Sequence, residues 1–467
     1  MTLRFDWTPT RRLALCITAA AALAAPATGA RAGDEPDPKT GVREQSLSRA
    51  LGDKAPDADL RRALMEKGVA YQFIYNVDGL TNTRGGMKRG ATFSGRLEFN
   101  LDADLEKLMS WQGATFHTHM FDIQGAGLSR KFVGNLMPVS NIEAVPTFRL
   151  FELWVEQKFG DNFSIKIGQI GVDGEHATSS YAGLFNNGTF GWPAILGANL
   201  PSGGPAFTLA TPAIRARYEF TKNTSWLVAV FNGDPAKPGP GDPQVRNPHG
   251  VDFRWRHGAY VVTEAQHKYN QEKDAAGLPG SVKLGVWRHL ARFDDQRWGT
   301  DGLSLANPAS NGIARRHNGN YGVYGMLDQM VWRLEGDKGV GIFARAFANP
   351  SDRNPVAWQF DGGVVANGVI AARPDDVFGV GFSYARISNR ARAFDADVVS
   401  FGAATARRDF EAIVEANYQW QVMPGWSLQP NIQYIFHPGA HVANPLDPAG
   451  KPIRNALVFG LRSGWKW

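Results

Sequence analysis

The chain has 467 residues, of which 11% are aromatic and 20% charged, with 52 glycines and a single cysteine. Its formal net charge of +6 shrinks when the four Arg and one Asp of the first 32 residues are set aside, leaving 46 basic against 43 acidic side chains. So even a balance, with no Lys/Arg-rich run, argues against a nucleic-acid partner, and the lone Cys16 excludes a disulfide scaffold or a zinc-thiolate site.

Arg4, Arg11 and Arg12 precede an apolar run over 13–25, and Ala30-Arg31-Ala32 supplies a small-x-small cleavage site. The pattern predicts a secretory signal peptide over 1–32, because its apolar core is shorter than the ~20 residues a spanning helix needs. Cys16 would leave with it, and Leu15 in front of that cysteine does not fit a lipoprotein signal. Residues 33–68 lack strand character and read as a periplasmic lead-in. Its second half is expected to be a short helix with Asp57 as N-cap and Gly68 as the stop.

From Val69 onward the period is two. Strands are predicted at 69–76, 91–102, 113–123, 148–159, 163–171, 213–221, 225–232 and 259–268, then at 281–292, 320–333, 340–348, 356–364, 377–387, 410–422, 426–436 and 456–467. Strand two sets Phe93, Leu97, Phe99 and Leu101 against Ser94, Arg96, Glu98, Asn100 and Asp102; strand six sets Ile214, Ala216, Tyr218 and Phe220 against Arg215, Arg217 and Glu219. Strand fourteen does the same with Val414, Tyr418 and Trp420 against Glu411 and Glu415. A Lys or Arg facing lipid at mid-membrane costs about 2–4 kcal/mol, so these polar faces belong inside a water-filled barrel.

The links alternate in length. Tight turns at 160–162, 222–224, 334–339 and 423–425 lie between long links near 124–147, 172–212, 233–258, 293–319, 388–409 and 437–455. Short periplasmic turns and long extracellular loops are the habit of outer-membrane barrels, and two periplasmic links, near 103–112 and 269–280, are longer than that rule. The last strand ends on Trp467, with Leu457, Phe459, Leu461, Trp465 and Trp467 outward and Arg462 and Lys466 inward. Trp465 and Trp467 are expected in the interfacial belt at the periplasmic rim. The reading is thus an all-β, transmembrane antiparallel β-barrel of about 16 strands over 69–467, preceded by a short N-terminal periplasmic helix.

Several stretches carry a family resemblance: Gly90-Ala-Thr-Phe-Ser-Gly-Arg-Leu-Glu-Phe99, Arg149-Leu-Phe-Glu-Leu-Trp-Val-Glu-Gln-Lys-Phe159, Phe231-Asn-Gly-Asp-Pro235, Arg373-Pro-Asp-Asp-Val-Phe-Gly-Val-Gly381, and Trp426-Ser-Leu-Gln-Pro-Asn-Ile-Gln-Tyr-Ile-Phe-His-Pro-Gly439. With these the chain resembles the outer-membrane carbohydrate-selective porins of OprB type, departing from the usual pattern at Ala440, where a second glycine is customary. The resemblance implies a sixteen-stranded porin passing monosaccharides such as glucose through a narrow eyelet of lumen residues and in-folded loops. It implies small neutral sugars and the lipid and lipopolysaccharide of the outer membrane as partners, no cofactor and no catalysis. A general or anion-selective porin is the alternative, although the lumen mixes both signs of charge where a lysine ladder would favour anions.

Sugar diffusion needs weak sites that replace part of the sugar's hydration. Candidate lumen contacts are Arg96, Glu98, Glu152, Trp154, Glu156, Arg215, Arg217 and Arg345. Each has a structural reading beside it, as one half of an Arg–Glu pair bracing the wall or as packing for a loop. The link 172–212 is the candidate constriction loop, with Asp173, Glu175, His176, Phe190 and Trp192 as its candidate residues; an extracellular cap is the competing role. His117 and His119 share a face and a chelating spacing, but no carboxylate or third histidine follows at ligand spacing, so no metal is expected. The segment 234–242 is read as a surface turn in preference to a cation site. No Gly-x-Ser-x-Gly elbow points to an outer-membrane hydrolase.

Overall fold

The computed structural model describes residues 45–253, 258–272, 275–335, 338–403 and 406–467; the predicted signal peptide and the first part of the lead-in lie outside them. Sixteen strands among the described residues run β1 (Val69–Gly86), β2 (Gly90–Asp104), β3 (Ala114–Gly125), β4 (Thr147–Phe159), β5 (Phe163–Ile170), β6 (Thr211–Thr221), β7 (Thr224–Asn232) and β8 (Ala259–Tyr269). They continue as β9 (Gly280–Gly299), β10 (Ala314–Arg333), β11 (Gly339–Ala348), β12 (Val356–Asn367), β13 (Val377–Ile387), β14 (Phe410–Met423), β15 (Trp426–Phe436) and β16 (Arg454–Lys466). Each strand pairs antiparallel with its chain neighbours, and β1 seals against β16, with Asp78 opposite Arg462, so the sheet is a closed barrel. Closure leaves no unpaired edge, which is what a lipid environment demands of a sheet. No described helix is long and apolar enough to cross a membrane.

The alternation resolves into two surfaces. Phe93, Ile214, Tyr218, Phe220, Leu284 and Leu461 stand exposed on the outer wall, while Arg215, Arg345, Glu411 and Glu415 are buried on the inner one. Aromatic rings gather at both rims. Phe159–Phe163, Tyr218–Phe220 and the stacked pair Trp426–Trp465 sit by the tight turns, and Trp358, Tyr384 and Phe410 stack in series by the long loops. Such girdles mark the two interfaces of an outer-membrane barrel.

Three local expectations are corrected. β1 runs ten residues further than its apolar alternation, to Gly86, because Asp78 points inward to Arg462 and leaves the ladder intact. β9 and β10 likewise extend into the predicted link 293–319, which contracts to 300–313. Asp57 precedes the helix Ala58–Glu66 but makes no side-chain cap. Its Oδ2 instead accepts from Arg61 Nε at 2.8 Å, from the Tyr71 hydroxyl at 2.7 Å and from Trp467 Nε1 at 2.9 Å. The terminal tryptophan is therefore tied to the lead-in as well as to the rim. Burial works against the Asp57 charge, but these donors and the Arg61 cation hold its pKa below the usual range.

Candidate functional site in the barrel lumen

Two long loops, 126–146 after β3 and 171–210 after β5, fold back into the barrel. A buried loop must satisfy its backbone, and the far wall is built to do this. Glu264 accepts the Ala177 N–H at 2.8 Å, Asp328 that of Ser180 at 2.9 Å and Gln359 that of Ile195 at 2.7 Å. One carboxylate, Glu415, takes the N–H groups of both Asn186 and Asn187, at 2.7 and 2.9 Å. Donors face the loop carbonyls in turn, Arg345 to Thr189 O at 2.8 Å and Gln429 to Leu184 O at 2.7 Å.

Glycines on that wall make the room. A Cβ on Gly341 would fall 2.0 Å from the Tyr181 ring, and one on Gly381 would fall 2.8 and 2.9 Å from Phe190 and Phe185. The shorter loop is held the same way. Glu411 accepts the Leu136 and Met137 N–H groups at 2.7 and 2.6 Å, and Ser140 donates to Asp78 at 2.6 Å. The loops then join through Asn141 N–H to Asn186 O and Gly188 N–H to Pro138 O, both 2.7 Å.

What remains open is the wall from β16 through β1 to β6, and it carries charge. Arg462 forks onto Asp78 at 2.6 and 2.8 Å. Arg96 donates twice to Glu98 Oε1, at 2.9 and 2.6 Å, with its guanidinium 5.2 and 4.8 Å from the Phe121 and Phe207 ring centres. The other Glu98 oxygen meets His119 Nε2 at 2.9 Å. His117 Nδ1 contacts Asp102 at 2.8 Å, and its ring stacks 4.7 Å from Trp154. Lys166 Nζ sits 4.1 Å from the Trp154 ring centre and donates to Glu175 at 2.9 Å. Arg215 closes the arc, reaching Glu175 at 2.7 Å and Glu156 at 3.0 Å.

Of the predicted contacts, Arg96, Glu98, Glu152, Trp154 and Glu156 fall on this one arc, and Arg215, 2% exposed, braces it from behind. Arg217 is 35% exposed and paired with Glu219 at 3.0 Å, nearer the tight-turn rim. Arg345 is a correction. It is fully buried, with its guanidinium taken up by Asp361 at 2.8 Å and by loop carbonyls, so it anchors the loop and offers no donor to the lumen.

The loop candidates divide too. Glu175 faces the arc, whereas Phe190 is buried against Phe185 and Phe343, and Trp192 donates to Gly203 O at 3.0 Å within its own loop. His176 is buried with neither ring nitrogen bonded among the described residues, and burial lowers its pKa so that the ring stays neutral. Burial raises Asp173 to about 6 against the hydrogen bond from the Phe207 N–H. Burial also opposes the charge on Glu175, but the Arg215 hydrogen bonds and the Lys166 and Arg215 cations bring it down to about 2.

Sequence reasoning missed Asp78, Lys166 and the in-folding of 126–146. Asp78 continues the inward parity of Asn76, and Lys166 alternates with Ile165 and Ile167, so both were available from the period. The loop offers no such signal. In 234–242, Asp234 and Asp242 accept local N–H groups, from Ala236 and Gln244, as a turn does.

A closed sixteen-strand wall, a lumen narrowed by two folded loops and a charged arc on its open side define an outer-membrane porin. A family model described as the carbohydrate-selective porin, OprB family, matches residues 88–467, and the chain belongs to that family. Porin B of Pseudomonas aeruginosa is 24% identical over 429 residues, which are 86% of this chain and 88% of that protein. The high-pH structure of Pseudomonas putida OprB matches with a TM-score of 0.78 at 21% identity, covering 91% of this chain and 100% of that one. Its low-pH structure matches with a TM-score of 0.51 at 19% identity over 88% and 97%. At such identities these two likenesses bear on the fold alone.

Proposed function

We propose that the chain passes monosaccharides such as glucose by passive diffusion, with Arg96, Glu98, Glu152, Trp154 and Glu156 as weak contacts along the open wall and residues 171–210 setting the constriction. The observation that supports this most is the pairing of the arc. Arg96 is matched by Glu98, Lys166 by Glu175 and Arg462 by Asp78, while Asp102 and Glu152 stand beyond those pairs beside His117, so a passing solute meets donors and acceptors at close range without a surplus of cations. A neutral polyol gains from such a surface, whereas an anion gains only from an unmatched cation. The family's carbohydrate selectivity agrees with that reading. The outer apolar belt accounts for outer-membrane lipid as the second partner, and residues 33–68 would remain on the periplasmic side. Planar-bilayer conductance titrated with glucose, other sugars and phosphate tests the proposal. Block by sugars at millimolar concentration is the expected result, and block by anions alone would select the general or anion-selective porin.

A further inference from the structure

We infer that the lumen arc also contains a binding site for a divalent transition-metal ion of the zinc class, formed by His117, His119 and Glu152. The sequence pairs the two histidines but offers no third ligand near them. The barrel supplies it across a strand boundary: Glu152 on β4 stands in register with His119 on β3, and one ligand atom from each of the three side chains lies within 4.8 Å of the others.

The surrounding contacts are those of a prepared site. A metal-bound imidazole characteristically gives its second nitrogen to a carboxylate, which fixes the ring and its tautomer. Asp102 holds His117 Nδ1 at 2.8 Å, leaving Nε2 turned to Glu152 Oε2 at 3.7 Å. Glu98 holds His119 Nε2 at 2.9 Å, leaving the other nitrogen of that ring for a ligand. Glu152 is fixed as well, since its Oε1 accepts the Gly171 N–H at 2.8 Å and Oε2 stays available. Trp154 stacks on His117 and completes the support. Two imidazoles and one carboxylate with an open fourth position form a familiar zinc set, and imidazole selects such ions over magnesium or calcium. Of the other charges nearby, Arg96 is already bound to Glu98 and Lys166 to Glu175.

A second trio at the loop rim, Asp409, His437 and His441, is the natural control. Its two rings stack at 4.3 Å and 13°, so their in-plane lone pairs lie in nearly parallel planes and do not converge on one ion. The lumen rings are inclined at 73° with centres 6.3 Å apart.

Zinc titration of the full-length barrel in detergent, followed by calorimetry, reads the site directly and is independent of any sugar. The expected result is one equivalent bound at micromolar concentration, weakened at least tenfold in His119→Gln and in Glu152→Gln and unchanged in His437→Asn. Anomalous scattering from zinc-soaked wild-type crystals, with the ion between His117, His119 and Glu152, gives the same answer without a variant. No zinc uptake by the wild-type barrel overturns the inference. So does an equivalent lost in His437→Asn and kept in His119→Gln, or an ion located only at the rim.

Discussion

The two halves of the inner wall use the same kinds of side chain for opposite purposes. From β8 to β15, charged and amide groups are buried under the loop 171–210, with Glu264, Arg345 and Glu415 all fully covered. From β16 through β1 to β6, similar groups pair side chain to side chain; Asp78, Glu98 and Arg215 are buried within these pairs, while Arg96 and Glu152 stay partly open at 17% and 16% side-chain exposure. The difference lies in what each group faces. A buried acceptor must find a donor or cost about 1–3 kcal/mol, and a folded loop offers a row of backbone N–H groups. Where a member of such a pair faces water, as Arg96 does, the exposed part of the pairing shapes the lumen field and contributes little to stability.

Breaking the buried half gives the largest effect. Arg345→Met removes the cation from the buried Asp361 carboxylate, whose other oxygen keeps Gln359 and Ser383, and the donor from Thr189 O, and removal of one member of a buried pair costs about 3–5 kcal/mol. A lowered melting temperature and a larger, noisier single-channel conductance are expected, as the loop loosens. A variant with unchanged melting and conductance would place the loop's anchorage elsewhere.

In the open half, Arg96→Gln removes both donors to Glu98 Oε1. Sugar block of conductance is expected to weaken roughly tenfold, the loss of about 1.4 kcal/mol of contact energy, with a smaller change in melting than in Arg345→Met. Equal sugar block in the two variants would erase the distinction between the walls.

The loop between the halves carries a pH signature. Asp173, raised to about 6 from 3.8, favours docking fully below about 3.8 and loses that share as pH rises through about 6. Glu175, lowered to about 2 from 4.5, contributes its share above 4.5 and loses it as pH falls through about 2. Between pH 7 and pH 5 the loop therefore tightens, and conductance noise should fall over that interval. Asp173→Asn should flatten that change, and a retained pH response would assign it to another group.

The smallest effect belongs to Arg217→Gln, where an exposed pair with Glu219 is lost. Its melting point should move by less than about 0.5 kcal/mol equivalent, and sugar block should not change. A loss of sugar block there would extend the contact arc toward the periplasmic rim.

The period-two pattern by itself determined the strand set, the two faces and the closed wall, because lipid outside and water inside impose alternation on every strand. It also put Arg96, Glu98, Glu152, Trp154 and Glu156 on the inner face. It could not rank them against Arg345, since an inward side chain reads the same whether water or a buried loop lies before it. The tertiary structure decided that. The loop partners of Glu415 are the N–H groups of Asn186 and Asn187, more than 200 positions away, and backbone donors leave no trace in the residue types that bear them. The same holds for Glu152 beside His117 and His119: strand register brings them together, and register is set by the closure of the whole sheet.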